Sequence, residues 1–223
     1  MSSDQDQLKQ TDTEARFEFK KEENSAFESE QGLTEETVRV ISEDKDEPEW
    51  MLQRRLRALK QFQEMPMPTD WPGQPDLSEV DIQKIVPYIR PDIDTRGGVD
   101  DWTDLPDEIK DTFDKLGIPE AEKNALSGVG AQYESEIVYQ NMQERWEDKG
   151  VIFCDMDEAV QEHEEIVREY FMTKAVPPSD NKFAALHGAV WSGGSFVYIP
   201  EDVTVEMPVQ AYFRMNSEGM GQF

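Results

Sequence analysis

Apolar side chains recur at helical spacing from the middle of the first hundred residues. Trp50, Leu52, Leu56, Leu59 and Phe62 fall near one side of a helix, while Arg54, Arg55, Arg57 and Lys60 populate much of the remainder. Glu47-Pro48-Glu49 suits the first turn of that helix, because proline has no N–H to leave unpaired and acids favour the positive end of the dipole. Met65-Pro66-Met67-Pro68 ends it. Residues 71–106 are rich in Pro, Asp and Gly, including Arg96-Gly97-Gly98. They predict an irregular, extended segment with one short apolar run at 82–89, broken by Pro87.

Leu105-Pro106-Asp107-Glu108 starts a second helix that Gly117 closes, and Ile118-Pro119-Glu120-Ala121-Glu122 opens a third in the same way. Ser127-Gly128-Val129-Gly130 leads into a predicted long helix over 131–149, with Tyr133, Ile137, Val138, Met142 and Trp146 on its apolar side and Gly150 at C′. Val151-Ile152-Phe153 reads as a short buried strand. Asp155 with Glu158 three residues on fits a capping box, and that helix should run to about Met172. Pro177-Pro178 stops the chain, and Asp180 is the expected cap of a helix over 182–191.

After Ser192-Gly193-Gly194 the pattern changes to short β-type runs at 195–200, 203–205 and 209–214, separated by turns with no helix between them. Two or three such strands cannot form a stable sheet alone, so this end reads as an incomplete domain. The expected organisation is an acidic disordered tail over 1–47, a helical region over 48–191 and the start of a strand-built core over 192–223. Within the tail only Phe17, Phe19 and Phe27 interrupt the polarity, as inert aromatics or a docking motif, with a short strand or helix at 37–41.

Charge narrows the function. The 223 residues hold 49 Asp+Glu against 22 Lys+Arg, a formal net charge of −27. A nucleic-acid binder resting on a basic surface is excluded, because such a chain repels a polyanion. The tail alone carries 15 acidic and 6 basic side chains, too polar to offset its chain entropy. Self-repulsion on this scale is relieved by salt, whose Debye length falls to about 3 Å at 1 M. A high-salt cytoplasm therefore suits the chain, which has only 12 Lys. An acidic docking surface for a basic partner is the rival reading. No apolar run approaches the roughly 18 residues that span a bilayer, and residues 1–9 lack the plan of a signal peptide, so a cytoplasmic protein without membrane contact is expected. The four cations of the first helix either face solvent or face an acidic partner.

Candidate chemistry is sparse. Gly128-Val129-Gly130 lacks the Lys-Ser/Thr pair or third Gly of a nucleotide site and reads as a tight helix-to-helix turn. Ser192-Gly193-Gly194-Ser195 lacks the spacing of a nucleophile elbow and reads as a turn. His163 shares a helical face with Met156, Val160, Val167 and Tyr170, which makes it a core or interface residue; His163-Glu164-Glu165 has no second His four residues on for zinc. His187, beside Phe183 and Val190 in a small-residue helix, is also read as packing. Cys154 is the single cysteine, so no internal disulfide forms and an iron-sulfur cluster cannot draw several thiolates from this chain. Its acidic neighbours Asp155, Asp157 and Glu158 raise a thiol pKa while a helix N-terminus lowers it, so Cys154 is a structural thiol or at most a weak candidate ligand. No catalytic or metal-binding residue is assigned.

The sequence words themselves carry a resemblance. Glu49-Trp50-Met51-Leu52 with Arg55-Leu56, Gly117-Ile118-Pro119-Glu120-Ala121-Glu122, Gly128-Val129-Gly130-Ala131-Gln132-Tyr133, Gly150-Val151-Ile152-Phe153-Cys154, Val176-Pro177-Pro178, Asn181-Lys182-Phe183-Ala184-Ala185-Leu186-His187 and Gly193-Gly194-Ser195-Phe196-Val197-Tyr198-Ile199-Pro200 closely resemble the SufB family, scaffold subunits of the SUF iron-sulfur cluster assembly system. Met207-Pro208, Tyr212-Phe213-Arg214 and Gly221-Gln222-Phe223 continue the likeness over about residues 47–223.

The resemblance implies an α+β chain: an N-terminal helical region followed by a right-handed parallel β-helix, of which only the first strands are present. It implies a non-enzymatic scaffold acting with a SufC-like ATPase, which hydrolyses ATP, and a SufD-like paralogue. Sulfur would come from a cysteine desulfurase or sulfur-transfer protein, and the iron-sulfur cluster would form on the complete scaffold, with none on this portion alone. The cysteines proposed in the family to receive sulfur lie further along, and no residue here matches them. Family members vary at the Cys154 position. The acidic leader lies outside the shared pattern and, with the charge, suggests a haloarchaeal member. Two other classes stay open: a β-helix polysaccharide-acting enzyme, disfavoured by the single Arg214 in the strand region and the missing export signal, and an acidic protein-interaction module.

Overall fold

The computed structural model describes residues 25–68, 77, 79–92, 99, 101–116, 128–215, 219–221 and 223. Regular structure is present within the stretch whose polarity suggests a disordered tail. Strand β1 (Ser25–Glu28) and helix α1 (Glu35–Asp44) both precede Glu47. Thr34 caps α1 by accepting a hydrogen bond from the Thr37 N–H. Leu33, Val38 and Ile41, three apolar side chains in an acidic stretch, are all buried. The expectation of a disordered tail is thus corrected for 25–47, and the element placed at 37–41 is a helix. Phe27 packs against the core, whereas Phe17 and Phe19 lie outside the described residues.

Helix α2 (Glu49–Glu64) begins after Pro48 and ends at Met65, as the prolines require. Its buried face is Met51, Arg55, Ala58, Leu59 and Phe62, so one of the four cations read as surface charges sits in the interior. The central core joins α1 and α2 to Tyr88 and to helix α7 (Lys182–Val190), through Ala185, Leu186, Ala189 and Val190. Gly188 makes the helix pair possible: a Cβ there would lie 2.9 Å from the Ala58 Cβ and 3.0 Å from the Pro178 ring. Asn181, rather than Asp180, caps α7, its Oδ1 accepting from the Phe183 and Ala184 N–H groups.

A second layer is a sheet in the order β4-β3-β7, with β3 (Gly128–Tyr133), β4 (Glu136–Met142) and β7 (Val209–Arg214). The long helix expected over 131–149 is therefore a hairpin followed by the one-turn helix α4 (Glu144–Glu147). Val129, Ala131 and Tyr133 alternate with Gly128, Gly130 and Gln132, a period of two that a scan for helical periodicity misses. The turn reverses at Glu134, whose φ of 52° is helix-incompatible. Gly150 does hold the expected left-handed position, at φ 78°, but it closes the shorter helix. Helix α3 (Asp107–Leu116) covers this sheet, burying Ile109 and Phe113, with Leu105 just ahead of it, against Val129, Ala131 and Tyr133. The further helix expected from Ile118 lies outside the described residues.

Strand β5 (Ile152–Asp155) leads into α5 (Met156–Glu162) and α6 (Glu164–Tyr170). These replace the single helix expected to Met172, because His163, at φ −123° and ψ 35°, breaks it. Strand β2 (Ile89–Pro91) pairs with β1, and the rest of the 71–106 region shows short 3₁₀ turns at Ile82–Lys84 and Trp102–Asp104 among its described residues.

The terminal strands are not without neighbours. Strand β6 (Ser195–Tyr198) runs antiparallel to β5, and β7 runs parallel to β3, pairing Gly128 with Val209 through to Tyr133 with Arg214. The third run expected as a strand, 203–205, is irregular; Val203 and Val205 pack on Met142, Trp146, Val151 and Phe153. None of the sheets closes on itself among the described residues.

Candidate functional site

The residues that sequence reasoning singled out are dispersed, and most have structural work. Cys154 pairs in register with Phe196 and lies in an apolar cluster with Met51, Met156, Val160, Met172 and Trp191. Burial, then the charges of Glu158 and Asp155, push its thiol up to about 12. Both the burial and the neighbouring acids disfavour the thiolate, the form that acts as a nucleophile. Asp155 caps α5 through the Asp157 N–H. His163 is half-buried at the α5–α6 break, its ring stacked on Phe196 at 6.0 Å. His187 is exposed and meets Phe171 edge-on at 6.4 Å. Among the described residues, no three His, Cys, Asp or Glu side chains come together as a metal site.

The two glycine motifs pack against each other across the interior. Gly128-Val129-Gly130 is strand rather than a helix-to-helix turn. A Cβ at Gly130 would lie 3.3 Å from the Phe153 ring and 3.5 Å from the Ser195 Oγ, so glycine serves close packing and not an anion cradle. Ser192-Gly193-Gly194-Ser195 is the turn expected, with φ of 155° and 126° at the glycines. Gly193 passes against the buried Gln132 amide, 2.9 Å from where a Cβ would sit.

Burial of Arg55 was missed. Its Nε and Nη2 donate to the two carboxylate oxygens of Glu47 at 2.8 and 2.6 Å, and Nη1 donates to the Ala189 carbonyl. Its guanidinium carbon lies 4.4 Å from the centre of the buried Trp191 ring. A signal was present: Arg55 follows Met51 by four residues and precedes Leu59 by four, which puts it on the apolar face.

Several apolar side chains of the last strands face solvent. Val197, Tyr198 and Ile199 of the β6 run, Met207, and Phe213 and Met215 of the β7 run are all exposed, Phe213 by 54%. The outer edges of β6 and β7 have no strand partner among the described residues. Open strand edges and exposed apolar side chains are interaction features, since an edge without a strand neighbour accepts another strand and the side chains gain by burial. No described helix is long and apolar enough to cross a membrane.

Residues 108–211 match the family described as the SufBD protein N-terminal region. The chain is 56% identical over 208 residues to iron-sulfur cluster assembly SufBD family proteins of Staphylococcus saprophyticus and Staphylococcus haemolyticus, and 54% identical to one of Staphylococcus aureus. Each alignment covers 93% of this chain and 43% of the relative, so the chain spans less than half the length of the relatives it matches. These relatives are staphylococcal, and the haloarchaeal origin expected from the charge finds no support in them. With its N-terminal-region match and more than half its aligned positions shared over nearly its whole length, the chain is similar to the N-terminal part of SufBD family proteins.

Proposed function

We propose that the chain is the N-terminal portion of a SufB-type scaffold on which iron-sulfur clusters are assembled, working in the cytoplasm and adapted by its charge to high salt. The observation that carries the reading is the exposure of the apolar side chains Val197, Tyr198, Ile199, Met207, Phe213 and Met215, in a chain that spans 43% of its relatives' length. In this reading β6 and β7 are the first strands of a parallel β-helix built by the remaining sequence, whose next strands cover those side chains. The helical region seals one end of that coil. In this reading the portion is a platform without bond chemistry, Cys154 is a buried structural thiol, and the cluster is cargo held elsewhere on the complete scaffold. A SufC-like ATPase, a SufD-like paralogue and a desulfurase or sulfur-transfer protein are its proposed partners.

The test is co-expression of the tagged complete scaffold with the SufC-like and SufD-like proteins of its own genome, followed by affinity purification and incubation with iron, cysteine and desulfurase. Co-elution of both partners and visible iron-sulfur absorbance are expected. A complex that forms but never acquires a cluster would mark a SufD-like paralogue, and absence of both partners would overturn the assembly role.

A further inference from the structure

Guanidiniums converge where α2 meets α6. Trp50, Arg54 and Arg57 follow one another along α2 at spacings of four and three, which keeps them on one helical face. Arg168 of α6 joins them: the Arg54 and Arg168 guanidinium carbons each lie 5.1 Å from the Trp50 ring centre. Arg54 donates to the main-chain carbonyls of Phe171 and Arg168, at 2.7 and 3.1 Å, and to no carboxylate among the described residues. Arg57 is exposed and makes no ion pair or hydrogen bond there. Only Arg168 has an acid, Glu164 at 2.6 Å one turn away.

That arrangement is anomalous in a chain with 49 carboxylates and 22 cations. Acids outnumber cations by more than two to one, so an unoccupied guanidinium should readily find a carboxylate. Here three stand together instead. Partial burial first, then the charges of Arg57 and Arg168, lower the pKa of Arg54. Stacking on Trp50 holds two of the planar forks in place, which leaves less side-chain entropy to lose when a carboxylate is bound.

We propose that this face, Trp50, Arg54 and Arg57 of α2 with Arg168 of α6, docks an acidic peptide segment of a partner protein, whose carboxylates accept hydrogen bonds from the guanidiniums. The charge balance selects the occupant. A nucleic acid carries its negative charge over a long path and meets the repulsion of the whole −27 surface, whereas a short acidic segment lies within about a Debye length of the three arginines. The site is separate from the strand surface of the assembly reading and does not rest on it.

The experiment is fluorescence anisotropy of a fluorescein-labelled peptide of alternating Glu and Ala, titrated with the 223-residue chain at 0.1 and 1 M NaCl. Saturable binding that weakens with salt is expected. Arg57→Glu should weaken it by up to about fivefold, the upper scale of one exposed ion pair, with unchanged far-UV circular dichroism. Lys149→Glu, the same charge change at an exposed cation that packs on Trp146 instead, should leave it unaltered. Arg168→Gln supplies a second variant that keeps the helix. Equal weakening by Lys149→Glu would reduce the effect to net charge and overturn the proposal. So would indifference to both Arg57→Glu and Arg168→Gln, failure of the peptide to bind at low salt, or binding of a single-stranded oligonucleotide in its place.

Discussion

Arg55 and Glu47 form a two-pronged ion pair in the protein interior, their side chains 0% and 2% exposed. The pair ties the segment ahead of α2 to the helix itself, while the third nitrogen of Arg55 reaches the α7 carbonyl of Ala189. Three segments therefore depend on one guanidinium. Removing one partner strands a buried charge, which costs about 3–5 kcal/mol. Glu47→Gln or Arg55→Met should each lower unfolding stability by that amount in urea melts. The double variant Glu47→Leu/Arg55→Met should recover most of it, and a purely additive loss would contradict the account.

Cys154 should be silent to thiol reagents in the folded protein at pH 8 and react at once in urea. Its folded pKa of about 12 exceeds the ordinary thiol value of 9.0, so the folded state retains a proton the unfolded chain gives up. The stabilisation is complete below pH 9 and is lost as pH rises from there towards 12, at about 1.4 kcal/mol per unit. Comparing wild type with Cys154→Ala over that window isolates the effect from tyrosines and lysines, and Cys154→Ala should show the shallower decline.

Gly188→Ala should destabilise by about 1–3 kcal/mol, the usual range for overpacking, because the new methyl meets Ala58 at 2.9 Å. Ala58→Gly in the same chain should restore part of the loss, less the roughly 1 kcal/mol that glycine costs inside a helix. Thermal melts of the three variants are sufficient.

Phe213→Lys, on the exposed side of β7, should change stability by less than about 0.5 kcal/mol while reducing self-association in light scattering. The same substitution in the complete scaffold should be severely destabilising if later strands cover this residue. A neutral result there would argue against the β-helix proposal.

Salt should stabilise the fold. Raising NaCl from 0.1 to 1 M screens the repulsion of a net charge of −27 and should raise the melting temperature. Far-UV circular dichroism unaltered by dialysis to low salt would remove the case for adaptation to a saline cytoplasm. The buried Arg55–Glu47 pair, out of reach of ions, should respond less than the exposed Arg39–Glu35 pair.

Legibility followed the range of the forces. Helix α2 was readable from Pro48, the apolar spacing and the Met65-Pro66 stop, and α7 from the proline pair before it. The Cys154 neighbourhood was half readable: its acids were visible in sequence, but only the fold places Met51 and Trp191 around the thiol and lets burial dominate. Strand β3 was misjudged because Val129, Ala131 and Tyr133 show alternation over too few residues to outweigh the apolar residues after them, and β7, its parallel partner, lies far along the chain.

The amino-acid order by itself determined where α2, α3 and α7 begin and stop, the acidity, the scarcity of thiols and the family likeness. Caps, prolines and left-handed glycines act within one turn of chain, so their effects need no distant partner. Tertiary structure alone decided that Arg55 is interior, that 128–142 is a hairpin and that α1 is part of the core. In each case the deciding partner is distant in sequence or lies on another element, Ala189 and Trp191 for Arg55, β7 for β3, α2 and α7 for α1, and burial against that partner outweighs local preference.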